Sequence, residues 1–184
     1  MAVPQQKFRE IVFQLIFSYD MAEPSVEAME TLLMKELSVT RKTMREAQNR
    51  VNDVHEFQKN IDQMILATST SYDFSRIQKV EINILRLGVY EMIYDENIPP
   101  KVAISEAMRL ARKFSTKESA LFVNAVLDTI RKKESGEIGE NQNEIVESFD
   151  QMLESEKLAN EAALKEGKSD ESNEAENPGT DPIM

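Results

Sequence analysis

The sequence predicts an all-α fold of six or seven helices in two small bundles, followed by an acidic tail. Three observations carry that prediction. Apolar residues through the first 133 positions recur in steps of three and four, the spacing that places them on one helix face. No segment there alternates apolar and polar residues for long, as a half-buried strand would. Finally, Gly88 is the only glycine before residue 134, and short polar clusters separate the periodic runs.

Taken in order, Phe8, Ile11, Val12, Leu15, Ile16 and Tyr19 form the stripe of a first helix, with Phe13 and Phe17 outside it. Pro24 and Ser25 open a second, Ser25 as its N-cap, with Val26, Met29, Leu32, Leu33 and Leu37 inward. Thr40 or a neighbour starts a long third helix through Met44, Ala47, Val51, Val54, Ile61 and Ile65. The polar cluster ATSTSYD (67–73) ends it. The run 76–96 carries two apolar stripes, Ile77, Val80, Ile84, Leu87 and Ile82, Leu85, Val89, Ile93. A helix apolar on most of its circumference is expected at the centre of the fold, packed from several sides. NIPP (97–100) stops it, and Pro100 suits the first turn of the next helix, whose inner face is Ala103, Ala107, Leu110, Ala111 and Phe114. The last helix runs from about Thr116 to Lys132 with Ala120, Val123, Leu127 and Ile130 inward. Between these two, FSTKES (114–119) holds Ser115 and Glu118 in capping-box spacing. Phe122 lies one position off the inner stripe.

Charge divides the chain. Residues 134–184 hold 15 acidic residues against three lysines, leaving 18 acids and 19 bases for residues 1–133. A nearly neutral body (1–133, with subdomains of about 1–70 and 71–133) is therefore expected to precede an acidic, low-complexity tail (134–184). Residues 144–164 have helix-forming composition, and from Lys165 onward the composition is that of a disordered tail. There is no cysteine, which excludes disulfides, thiolate metal sites and cysteine nucleophiles. The longest apolar stretch, 11–19, is too short and interrupted to cross a bilayer, and the first ten residues lack the pattern of a signal peptide. A soluble, cytoplasmic protein is expected.

Little in the chain suggests catalysis or a cofactor. His55 is the only histidine, no group of residues has metal-ligand spacing, and no glycine-rich phosphate loop occurs. Basic residues are better placed. Lys7 and Arg9 lie on the first helix, and Arg109, Arg112, Lys113 and Lys117 crowd the fifth helix and its exit. Such charges attract phosphates by releasing counterions, and neighbouring aromatic rings stack on unpaired bases. The plainer reading of the same residues is a solvated helix face. Arg86 and Glu91 on the apolar central helix are expected to pair internally, because a buried unpaired charge costs several kcal/mol.

Four segments carry a resemblance to a known family. VEINILRLGVYEM (80–92), IPPKVAISEAMRLARKF (98–114) and FVNAVLDTI (122–130) occur in that order, and REIVFQLIFSYD (9–20) precedes them. Together they resemble the NusB family of bacterial transcription antitermination factors over about residues 1–133. The resemblance implies a helical fold of two subdomains without catalytic activity. It further implies binding of single-stranded boxA RNA in ribosomal-RNA leader transcripts as a heterodimer with NusE, a ribosomal small-subunit protein. The pair would then join other Nus factors on the elongating RNA polymerase.

By motif position, the resemblance puts RNA contacts on Lys7, Arg9, Phe17, Glu118 and Phe122, and the basic residues Lys113 and Lys117 extend that face. It puts NusE contacts on Glu81 and the surrounding central-helix face, including Arg86 and Glu91. This chain departs from the family pattern in having only Lys7 and Arg9 where many relatives carry a run of arginines. Fewer phosphate contacts imply weaker and less salt-sensitive RNA binding. The alternative is a protein-interaction module of the same fold with weakened RNA binding.

Overall fold

Six helices and no strand make up the described residues, 3–21, 26–68 and 77–137 of the computed structural model. They belong to one compact unit, Met1–Glu147. The expected cap at Ser25, most of the 67–73 cluster, and the tail from residue 138 onward lie outside the described residues. The helices are α1 (Gln5–Asp20), α2 (Val26–Leu37), α3 (Arg41–Leu66), α4 (Lys79–Ile93), α5 (Pro100–Phe114) and α6 (Lys117–Glu134).

Their boundaries follow local chemistry. Thr40 starts α3, its hydroxyl accepting the Thr43 N–H at 3.2 Å, and Thr116 starts α6 by accepting the Ser119 N–H at 3.1 Å. Each cap satisfies one of the N–H groups that a helix start leaves without a partner. Pro100 occupies the first turn of α5, where its missing N–H is not needed. At the other ends, α2 and α6 close with the same hydrogen-bond pattern. Val39 N–H donates to Met34 O at 3.3 Å and Glu137 N–H to Lys132 O at 2.9 Å. This closure needs a left-handed residue just past the helix, which is Gly136 (φ 71°) in α6 but Ser38 (φ 51°) in α2.

The central-helix expectation holds for α4. Every residue from Glu81 to Met92 is buried, and α1, α3, α5 and α6 all pack against it. One side of the fold is therefore α1–α3 and the other α5–α6, with α4 shared. Gly88 permits the closest approach. A Cβ there would stand 3.2 Å from the Ala107 Cβ and 2.9 Å from Leu127 Cδ1.

Three expectations about inner faces are corrected. Leu32, expected inward on α2, is exposed. Phe13, placed outside the first stripe, is buried with its ring centroid 4.8 Å from that of Phe114. On α6, burial extends beyond the predicted stripe to Ser119, Phe122, Val126 and Thr129. A helix packed against both α4 and α5 has to bury a wider arc than one stripe.

Candidate nucleic-acid interface

The expected site residues sit on α1, on α5 and at the turn into α6, and the same residue runs build an ion-pair chain through the molecule. From Asp95 the charges alternate. Arg50 reaches Asp95 at 2.7 Å and Glu91 at 3.9 Å. The Arg9 Nε lies 2.9 Å from both Glu91 carboxylate oxygens, and Arg9 also approaches Glu106 at 3.8 Å. Arg109 joins Glu106 at 3.0 Å to Glu10 at 2.5 Å, and Lys113 closes on Glu10 at 2.7 Å. The chain crosses α3, α4, α1 and α5. Its inner members are almost dry and its α5 end is open to solvent: Arg9 and Glu91 are buried, Lys113 exposed.

Burial of Glu91 pushes its carboxyl above the usual range, despite the opposing pull of Arg9 and Arg50. Glu10 ends on the other side of its ordinary value. Burial alone would raise it, but hydrogen bonds from Lys113 and Arg109, with their charges, hold it low.

A second network joins α1, α3 and α4. Arg86 donates to both oxygens of Asp62, from Nε at 2.9 Å and from its terminal nitrogen at 3.0 Å, and lies 3.6 Å from Asp20. Lys79 meets Asp20 at 2.9 Å. The internal pairing expected for Arg86 and Glu91 is therefore present.

The residues expected at the partner face take part in internal contacts. Glu81, Arg86 and Glu91 are all buried, because α4 is enclosed on every side. Glu81 accepts a hydrogen bond from the Ser119 hydroxyl at 2.7 Å, tying the start of α4 to the start of α6. In the chain by itself these residues hold helices together.

The RNA-facing expectations divide in the same way. Arg9 is consumed by Glu91, and Phe122 is only 2% exposed, so neither is presented at the surface. Lys7 donates to the Leu37 carbonyl at 2.5 Å, where a cation stabilises the open carbonyl end of α2. At the FSTKES turn the cap is Thr116 with Ser119, one residue later than the expected Ser115–Glu118 box. Ser115 instead closes α5, its N–H donating to Ala111 O at 2.8 Å. Glu118 is held below the usual carboxylate range by its own backbone N–H and by the Thr116 hydroxyl.

Phe17, Lys113 and Lys117 remain at the surface, the first half-buried and the other two exposed. Phe17 is 6.1 Å from Phe13, Phe13 packs on Phe114, and the Lys113 ammonium stands 5.5 Å from the Phe114 centroid. Arg112, also exposed, lies on the same turn of α5. The result is an aromatic edge bordered by cations, a combination suited to stacking a base beside its phosphate.

Sequence reasoning missed the ion-pair chain, though one signal was available. Arg9 stands three residues before Val12 and seven before Ile16, in register with the inner stripe, so its charge required an internal partner. Nothing in the linear sequence pointed to Glu106 or Arg50, which come from helices far along the chain.

The NusB family model matches residues 6–132. Among relatives, the transcription antitermination protein NusB of Chlamydia pneumoniae is 35% identical over 127 residues, covering 69% of this chain and 79% of that protein. The protein of the same name from an Anaeromyxobacter species is 34% identical over 131 residues, covering 71% and 91%. Among solved structures, T. maritima NusB superposes with a TM-score of 0.60 at 29% identity, covering 75% of this chain and all of that one. A chain from a complex of the antitermination factors NusB and NusE with double-stranded RNA has the same fold, with a TM-score of 0.60 at 23% identity over 70% and 96%.

Proposed function

Because the chain belongs to the NusB family, we propose that it is a non-catalytic transcription antitermination factor that binds RNA together with a NusE partner. The family match over residues 6–132 carries this reading. Relatives named for antitermination and a solved complex of NusB, NusE and RNA support it. The finer expectation is single-stranded boxA-type RNA in ribosomal-RNA leader transcripts, with the protein pair joining other Nus factors on the elongating polymerase.

On this chain the RNA face would be the aromatic edge of Phe17 and Phe114, backed by the buried Phe13, with the exposed cations Lys113, Lys117 and Arg112. Phe17 offers the stacking surface and the cations hold the backbone. This face is smaller than the one expected from sequence, since Arg9 and Phe122 lie inside the fold.

A second reading, a protein-interaction module with weakened RNA binding, is favoured by one observation. Both cations of the first helix are already committed, Arg9 to Glu91 and Lys7 to the end of α2. Titrating the full chain with boxA RNA, with and without NusE, separates the two readings. Micromolar or tighter RNA binding that NusE strengthens supports the first; NusE binding indifferent to RNA supports the second. Binding to neither would overturn both.

A further inference from the structure

Helices α2 and α3 form a hairpin, and a groove of about 720 Å³ runs between them. Its walls come from matched helix faces: Met34 and Lys35 on α2, and Arg41, Met44, Arg45 and Gln48 on α3. The volume is within the range of sites that hold a small organic ligand.

Three features occur together in it. Arg9, Arg50, Arg86, Arg109 and Arg131 are each bound to carboxylates. Lys35, Arg41 and Arg45 have no carboxylate within ion-pair distance among the described residues, although Glu30 also lines the groove. Three unneutralised cations thus converge on one concave surface. Beside them, half-buried Met34 and buried Met44 make a polarisable apolar wall. Lastly, Gln48 donates its amide nitrogen to the Tyr19 hydroxyl at 2.9 Å, while its carbonyl oxygen is buried with no donor. Buried polar atoms normally have partners, so one of the residues lining the groove carries an unmet acceptor.

We propose that the α2–α3 groove is a nucleotide-binding site, with Lys35, Arg41 and Arg45 holding phosphate and the Met34–Met44 wall receiving the base. Paired arginines suit phosphate because the guanidinium presents parallel N–H groups to two oxygens. A base amino group beside Gln48, with rotation of its amide, would supply the missing donor. This site is separate from the aromatic edge and stands whether or not that edge binds RNA. The nucleotide can be free or one unit of an RNA strand, since both present the same phosphate and base.

The test is calorimetric titration of the full-length protein with GTP, with CTP, with inorganic pyrophosphate and with an unstructured ten-nucleotide RNA. The Arg41→Gln/Arg45→Gln variant is compared with Lys59→Gln/Lys101→Gln, which removes two exposed cations elsewhere; far-UV circular dichroism and thermal melting check the fold of both. For a free-nucleotide site, GTP or CTP binds more tightly than pyrophosphate and the groove variant weakens it by about tenfold or more. For a strand-bound unit, only RNA binds, the groove variant alone loses about tenfold, and its salt slope falls by about 1.4. Equal losses in both variants, or no effect of the groove variant on any probe, would overturn the proposal.

Discussion

Arg9 and Glu91 meet inside the molecule, with the guanidinium Nε 2.9 Å from each carboxylate oxygen and both side chains almost fully buried. Removing one partner leaves the other charged and dry, the situation that costs about 3–5 kcal/mol. Arg9→Met is expected at the lower end of that range, about 3 kcal/mol, because Arg50 still lies 3.9 Å from Glu91. The double variant Arg9→Met/Glu91→Met removes both charges and is expected to recover much of the loss. Urea unfolding of the two singles and the double measures the coupling. Singles within about 0.5 kcal/mol of the native protein, the range of an ordinary surface change, would mean that the pair contributes little.

The outer end of the same chain responds to acid. Glu10 is held below its ordinary value because hydrogen bonds from Lys113 and Arg109 outweigh the opposing effect of burial. A carboxyl lowered in the folded state contributes stability above its unfolded pKa and loses it as pH falls through the folded value. Glu91 has the opposite sign: raised by burial, its ionisation opposes folding, so its contribution improves as pH falls. Asp20, Asp95 and Asp128 are lowered like Glu10, so the net acid response is a loss of stability. Glu10→Gln is expected to be less stable at pH 7 and to show a shallower decline below about pH 4.5, the ordinary glutamate value. Melting temperatures from pH 7 to pH 3 test this; parallel curves for the two proteins would contradict it.

What was legible in the sequence follows from which interactions are local. Helix number, the cap at Thr40, the start of α5 at Pro100, and the all-round apolarity of α4 were readable because each depends on residues within a few positions. The site residues were not, since exposure depends on what packs across from them. Arg9 faces Glu91, 82 positions away. Phe122 disappears because α6 packs against α5, α4 and α3, and a single-stripe reading cannot register a second contact surface. Phe17 and Lys113 stay outside for the converse reason: they lie at the margin where α1 and α5 meet through side chains.

Phe122 supplies a direct check on that correction. At 2% exposure it belongs to the core of α6, so truncation leaves a cavity that its neighbours fill only partly. Phe122→Ala is expected to destabilise the fold by about 3–5 kcal/mol. Denaturant unfolding and RNA titration below the melting point separate stability from recognition. A stable variant with impaired RNA binding would return Phe122 to the surface.

Ser38 holds a left-handed backbone (φ 51°) at the closure of α2, the position that Gly136 fills in α6. For a residue with a Cβ that conformation costs roughly 1–2 kcal/mol. Glycine relieves the strain but also gains freedom in the unfolded chain, so Ser38→Gly is expected to stabilise by about 0.5–1 kcal/mol. Thermal melting detects the change. A lower melting temperature would show that the serine side chain contributes more than its backbone strain removes.

The proposed RNA face makes different demands on its aromatic and basic members. Phe17 is half-buried beside Phe13, so Phe17→Ala combines a modest stability loss with removal of a stacking surface worth roughly 1–3 kcal/mol per base. RNA affinity is expected to fall between about fivefold and 150-fold, with little change in salt dependence. Lys117 is exposed, so Lys117→Gln is expected to leave stability unchanged and to lower the salt slope by about 0.7. Fluorescence titration with boxA RNA at several salt concentrations distinguishes these signatures. If Phe17→Ala altered only the salt slope, its ring would not be stacking on a base. If neither variant altered affinity, RNA would be bound away from the α1–α5 edge.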